Sequence, residues 1–264
     1  MSLVLEIQHM SDFVTTSAGD RIAYDLRGSG PAVIFVAGAG PFRAIDPVTT
    51  QTAELVAQHG LATIVYDRLG RGESPAGGPL TLDRELASIN ALLEVAGGNA
   101  VLCGHSSGCS ISLAAADRGL PVTGLALWEG PFVWEGISIT EWAAEFERRL
   151  DAGELRAAVA QYMVNMPQEW VDQALNSPES IAGVVTQRSD AQSLAWVDLR
   201  DFSRIRVPLL YMLGTESFPE MFESADMVVE SIPGAVKKRV PGAWHSWEPE
   251  AMASELVAFV TAAQ

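Results

Sequence analysis

Cysteine is scarce in this 264-residue chain: Cys103 and Cys109 are the only two. They are too few for a disulfide framework and their spacing is not that of a zinc site. None of the four histidines belongs to an H-E-x-x-H pair either. The expectation is a chain without metal or cofactor, whose two thiols serve as small buried hydrophobes around a tight turn. Long apolar runs are missing too, so no membrane-spanning helix is expected. No basic leader precedes a small-residue cleavage site, which makes a soluble, cytoplasmic protein the expectation. Basic residues are few, 17 against 33 acidic, and the net charge of −16 sets up a field that repels phosphate-rich polymers. Neither nucleic acid nor a membrane is expected as a partner. The acidity serves solubility and tilts substrate preference toward neutral or cationic small molecules. The stretch "GRGES" lacks both a Walker lysine and G-x-G-x-x-G spacing, so it is not read as a phosphate cradle. Nothing in the sequence speaks to oligomeric state.

What the chain does have is material for a core. A chain of this length removes roughly 70–75% of its unfolded surface on folding. Apolar runs at 32–36, 62–66, 100–103, 124–128 and 208–213 are near-continuous instead of alternating. That is the pattern of strands covered on both faces, hence of a parallel sheet flanked by helices. Helical patterns at 48–59, closed by Gly60, and at 81–95, closed by Gly97 and Gly98, lie between them. Segments 13–16 and 22–26, separated by "SAGD", read as an antiparallel hairpin feeding the sheet edge. Between 132 and 205 apolar residues recur at helical spacing: Ile139, Trp142, Ala143, Phe146 and Leu150, then Leu155, Val159, Tyr162 and Met163. This segment reads as a helical cap inserted into one α/β domain.

The stretch "VLCGHSSGCSI" places Gly104-His105-Ser106-Ser107-Gly108, a G-x-S-x-G pattern, after a strand and before a helix. Such a sharp turn strains its central serine and presents the hydroxyl to a cleft, so Ser106 is the candidate nucleophile. With "FVAGAGP" (35–41), "YDRLGRGES" (66–74) and "PGAWHSW" (241–247), the sequence resembles the α/β-hydrolase superfamily, from the hairpin to the last helix. The resemblance implies a mostly parallel eight-stranded sheet flanked by helices, with 1–131 and 206–264 as the core domain and 132–205 as the inserted cap.

A serine alcohol needs a neighbouring base. His9 lies in the N-terminal stretch, His59 ends a helix, and the side chain of His105 should point away from the neighbouring hydroxyl; His245, in the loop before the final helix, stands where the family places its base. Two glutamates compete as the acid that orients it. The family's commoner position, after strand 208–213, holds Ser217, with Glu216 offset by one; the alternative, after strand 124–128, offers Glu129, which is favoured. For the developing oxyanion the resemblance implies the backbone N–H groups of Ser107 and Ala39, although the family's common His-Gly reads Ala37-Gly38 here. Asp67, Gly70, Gly72 and Ser74 match a D-x-x-G-x-G-x-S loop that is read as scaffolding. Trp128, Trp134 and Trp142 are candidate substrate contacts. The expected activity is hydrolysis of a neutral carboxylic ester or lactone; carbon–carbon bond hydrolysis on the same triad, or a small-molecule receptor on the same fold, are the alternatives.

Overall fold

The computed structural model describes residues 11–164, 166–198 and 202–262; His9 lies outside them. Nine strands form one sheet: β1 (Asp12–Thr15), β2 (Arg21–Gly28), β3 (Ala32–Val36), β4 (Ala62–Tyr66), β5 (Ala100–His105), β6 (Val122–Trp128), β7 (Leu209–Glu216), β8 (Val236–Ala243) and β9 (Ser246–Trp247). Their order is β1-β2-β4-β3-β5-β6-β7-β8-β9. The expected hairpin is β1–β2, and β2 joins the sheet antiparallel to β4, whereas the strands from β4 through β3 to β8 pair in parallel. The expected count of eight is short by the two-residue β9, where the chain doubles back on β8 through the pairs Gly242↔Trp247 and Ala243↔Ser246. The turn between them holds Trp244 and His245, both at positive φ (54° and 68°). That is the demand of a tight two-residue hairpin turn, ordinarily met by Asn-Gly or Gly-Gly, so "AWHS" carries no signal for it.

Both faces of the sheet are covered, which is why its central strands lack polar alternation. Val33, Phe35, Val101 and Ala126 pack with α1 (Pro47–Ala57) and α10 (Pro249–Ala262) on one side. Ile34, Val36, Leu102 and Leu127 pack on the other with α2 (Leu82–Val95), α3 (Ser107–Asp117) and α9 (Pro219–Ser231). Helix α2 is capped at Thr81, whose side chain accepts from Arg84 N, with Asp83 and Glu85 in its first turn.

Between β6 and β7 run α4 (Ile139–Asp151), α5 (Leu155–Tyr162), α6 (Gln168–Asn176), α7 (Pro178–Gly183) and α8 (Arg188–Asp198). The stripe Ile139, Trp142, Ala143, Phe146 and Leu150 is the buried face of α4, as its spacing predicts. Helix α8 packs on both α4 and α3, so it ties this helical segment to the layer beside the sheet. Among the described residues no helix is long and apolar enough to cross a membrane.

Candidate active site

Among the described residues, positive φ outside glycine occurs at only four places: Ser106 (55°), Glu129 (49°), Trp244 and His245. A side chain held there costs on the order of 1–3 kcal/mol and persists only where its surroundings impose it. Three of the four are the residues proposed from the sequence as nucleophile, acid and base. Each sits at the end of a strand. Ser106 follows β5, Glu129 follows β6, and His245 lies in the turn after β8.

The backbone around Ser106 shows why the glycines flank it. Its N–H donates to Trp128 O (2.9 Å), joining it to the end of β6. Helix α3 starts at the next residue and passes so close to β3 that a Cβ on Gly108 would lie 2.0 Å from Val36 O. Only a residue without a side chain allows that approach. On the opposite side a Cβ on Gly38 would meet Ser106 Cβ at 2.7 Å, so the loop after β3 lies directly against the serine.

Glu129 is buried, and its two oxygens have separate duties. Oε1 accepts from Gly214 N (2.8 Å) and Oε2 accepts from His245 Nδ1 (2.8 Å). Burial alone would push this carboxyl up, but the bonds from His245 and Gly214, with the Ser217 hydroxyl nearby, outweigh it and hold the group below the usual carboxylate range. An ionised carboxylate only accepts, so Nδ1 of His245 carries hydrogen, which in the neutral tautomer leaves the lone pair on Nε2. Ser217, at the position where the family more often has an acid, has a buried hydroxyl that meets no partner at good hydrogen-bond geometry yet lies near enough to favour the charge on Glu129. Glu216 is exposed at the end of β7, so the histidine is brought to Glu129 and not to its rival. No hydrogen bond joins Ser106 Oγ to His245 among the described residues; such bonds are often long before substrate binds.

Among the described residues His105 makes no hydrogen bond to the serine hydroxyl, and its ring contributes elsewhere. Its Nε2 lies 2.9 Å from His245 O, and a carbonyl can only accept, so Nε2 carries the hydrogen. The ring is wedged between His245 (centroids 4.9 Å) and the edge of Trp247 (5.2 Å). Desolvation, with His245 nearby, lowers its pKa to about 3, so it stays neutral and keeps its donor on the strained turn. Burial pushes the thiols of Cys103 and Cys109 up, which leaves both protonated and without nucleophilic character near neutral pH.

The tryptophans divide. Trp128 is completely buried against Trp247, on the α1–α10 side, and has no surface to offer a ligand. Trp142 is buried, stacked on Phe146 at 5.5 Å and touched edge-on by Trp134 at 4.8 Å. It packs the helical segment together. Trp134 is only half-buried and remains the candidate for contact with a bound molecule. The sequence expectation for Trp128 and Trp142 misread strand-end and helix-face aromatics, which packing claims first.

The sequence reading also missed a cluster beneath the loop after β3. Arg68 and Arg71 are buried between Glu85 of α2 and Asp190 of α8. Arg68 reaches Glu85 Oε1 through Nε (3.0 Å) and Nη2 (2.8 Å), and Asp190 Oδ1 through Nη1 (2.6 Å). Arg71 Nη2 donates to Asp190 Oδ2 (2.8 Å). Both arginines also donate to the loop: Arg68 Nη1 to Ala37 O (3.1 Å), Arg71 Nη1 to Gly38 O (2.5 Å). They give this loop the support that its missing histidine withholds. Asp67, read as scaffolding, accepts from Arg43 N (2.9 Å) and Glu73 N (2.8 Å) and holds its own loop in that way. Ala39 is half-exposed. Neither its N–H nor that of Ser107, at the first turn of α3, donates to a group among the described residues.

The sequence matches the model of the alpha/beta hydrolase family over residues 33–259. Among solved structures, an alpha/beta hydrolase from Sphaerobacter thermophilus is 30% identical, over 94% of this chain and 99% of that one, with a TM-score of 0.77. An esterase from Exiguobacterium antarcticum is 22% identical over 96% of this chain and 100% of that one, at a TM-score of 0.70. A meta-cleavage product hydrolase from Pseudomonas fluorescens is 16% identical over 96% and 98%, at 0.65. At such identities the last two share the fold alone. A search of curated proteins gave no sequence match.

Proposed function

Since the chain belongs to the alpha/beta hydrolase family, we propose that it is a serine hydrolase cleaving a neutral carboxylic ester or lactone through an acyl-enzyme. Ser106 Oγ attacks the carbonyl carbon while its proton passes to His245 Nε2. The carbonyl oxygen, now negative, accepts from the N–H groups of Ala39 and Ser107. When the tetrahedral adduct collapses, the leaving alkoxide takes the proton from His245 and the acyl group stays on Ser106. Water then attacks the acyl carbon, giving a proton to His245; as the second adduct collapses, His245 returns that proton to Ser106 Oγ and the acid leaves. Glu129 does not gain the proton. It holds the imidazole in one tautomer and stabilises its charged form.

The observation that supports this reading best is the His245–Glu129 hydrogen bond of 2.8 Å, on a histidine and a glutamate that share positive φ with Ser106. The net charge of −16 disfavours an anionic substrate, and the helical segment between β6 and β7, packed on α3, is a cap in this reading. The test is a fluorophosphonate probe, which reacts only with an activated serine: labelling at Ser106 is expected, with loss in Ser106→Ala. Absence of an adduct, together with no turnover on a panel of p-nitrophenyl esters and lactones, would remove the reading.

A further inference from the structure

The buried arginine cluster lies where the carbonyl-oxygen donors are built. In a trans peptide the C=O and the following N–H point in opposite directions, and the described residues contain no cis bond. Arg71 Nη1 holds Gly38 O at 2.5 Å, with Arg68 Nη1 on the same oxygen at 3.3 Å. Gripping that oxygen from below turns the Ala39 N–H toward the opposite side. A guanidinium on the carbonyl also draws electron density through the amide and makes its N–H a stronger donor. The second donor is tied to the same group, because Ser107 Oγ donates to Asp190 Oδ1 (2.7 Å). Asp190 therefore binds Ser107 and Arg68 with one oxygen and Arg71 with the other.

Resting on the serine-hydrolase reading, we infer that Asp190, with Arg71 and Arg68, is the positioning unit of the oxyanion site. This one carboxylate from α8 sets both the Gly38–Ala39 peptide and Ser107. None of the three touches the reacting atoms. They act through the two N–H groups, so their influence belongs to the transition state, where the oxygen is charged, and not to the binding of a neutral ester. The unit also makes the oxyanion site depend on where α8 sits. A substitution in the helical segment that displaced residue 190 would reach the chemistry with no change to the triad.

The test compares Arg71→Lys, Asp190→Asn and Ser107→Ala with the wild-type protein on p-nitrophenyl butyrate. The expected result for the first two is a kcat lowered about 10–100-fold at nearly unchanged KM. The amide ¹⁵N resonance of Ala39 should shift in both. The low-field proton of the His245–Glu129 bond should stay in place, since that pair lies outside the unit. Ser107→Ala keeps its N–H and removes one hydroxyl; should Asp190→Asn not fold, it carries the test, with a several-fold loss in kcat and a shifted amide at position 107. Wild-type kcat in the folded variants, an unmoved Ala39 amide, or equal losses in KM and kcat would overturn the inference while wild-type labelling by fluorophosphonate left the hydrolase reading standing. Wild-type protein that neither labels nor turns over would end both.

Discussion

Two polar assemblies flank Ser106, and they are built on opposite principles. On the β6–β8 side a single carboxylate meets a histidine that is still partly open to solvent, and the backbone conformations are strained. On the α8 side two guanidinium groups and two carboxylates are fully enclosed, with no positive φ outside glycine. In the proposed mechanism the first assembly changes its charge state, and it keeps one edge wet and its carboxylate a single hydrogen bond from the histidine. The second has no proton to move. Its charges balance, and it serves as a stiff footing for backbone donors. The strain and the buried charge thus stand on different sides of one serine, each where its cost produces something.

Breaking the first side should have the largest effect. Glu129→Gln is expected to lower kcat by roughly 10³–10⁴-fold, since an amide stabilises neither the tautomer nor the imidazolium. Glu216→Gln should stay within about twofold in the same assay, and the reverse pattern would move the acid to β7. On the second side, removing one member leaves its partners charged and dry. Arg68→Met should therefore cost about 3–5 kcal/mol of stability, read from denaturant unfolding curves.

A finer contrast comes from pH. His105 is held far below its ordinary pKa of 6.5, at about 3, so the unfolded chain binds a proton that the folded one refuses. Its contribution is complete above about pH 6.5 and is lost as pH falls toward 3. Over that window stability should fall by up to about 1.4 kcal/mol per unit of pH. Glu129 adds a loss of the same sign, but only below its ordinary value near 4.5. Unfolding curves taken between pH 5 and 6 therefore isolate the histidine, and His105→Gln should flatten the slope there. The smallest effect belongs to the turn itself. Trp244 is 78% exposed, so little packing is lost on replacing it; Trp244→Gly should stabilise the protein by about 1 kcal/mol by relieving positive φ. Equal or lower stability would mean that its contact with Phe218 matters more than the strain.

The same contrast marks how far the sequence could be read. Ser106 was legible because strand, glycine spacing and helix lie within one short stretch. Glu129 was legible at the end of an apolar run and His245 from its place before the final helix, which the resemblance implied, although choosing between Glu129 and Glu216 needed the structure, where His245 bonds to Glu129. The Arg68–Asp190 pair had no local signature, because its members are separated by 122 residues. Arginine is ordinarily a surface residue, and "DRLGRGES" drew attention to its glycines instead. Trp244 and His245 hid the hairpin because they are not residues a tight turn selects.

Asp190 also bears on how the protein is made. A nascent chain that has emerged only as far as α3 already carries Arg68, Arg71 and Glu85, with one carboxylate for two cations. The loop after β3 and the start of α3 touch directly, but they lack the carboxylate that links Arg71 and Arg68 to Ser107 until the polypeptide beyond residue 190 has followed. The hydrolytic centre can be assembled only late in synthesis, after the helices between β6 and β7 have come home to α3.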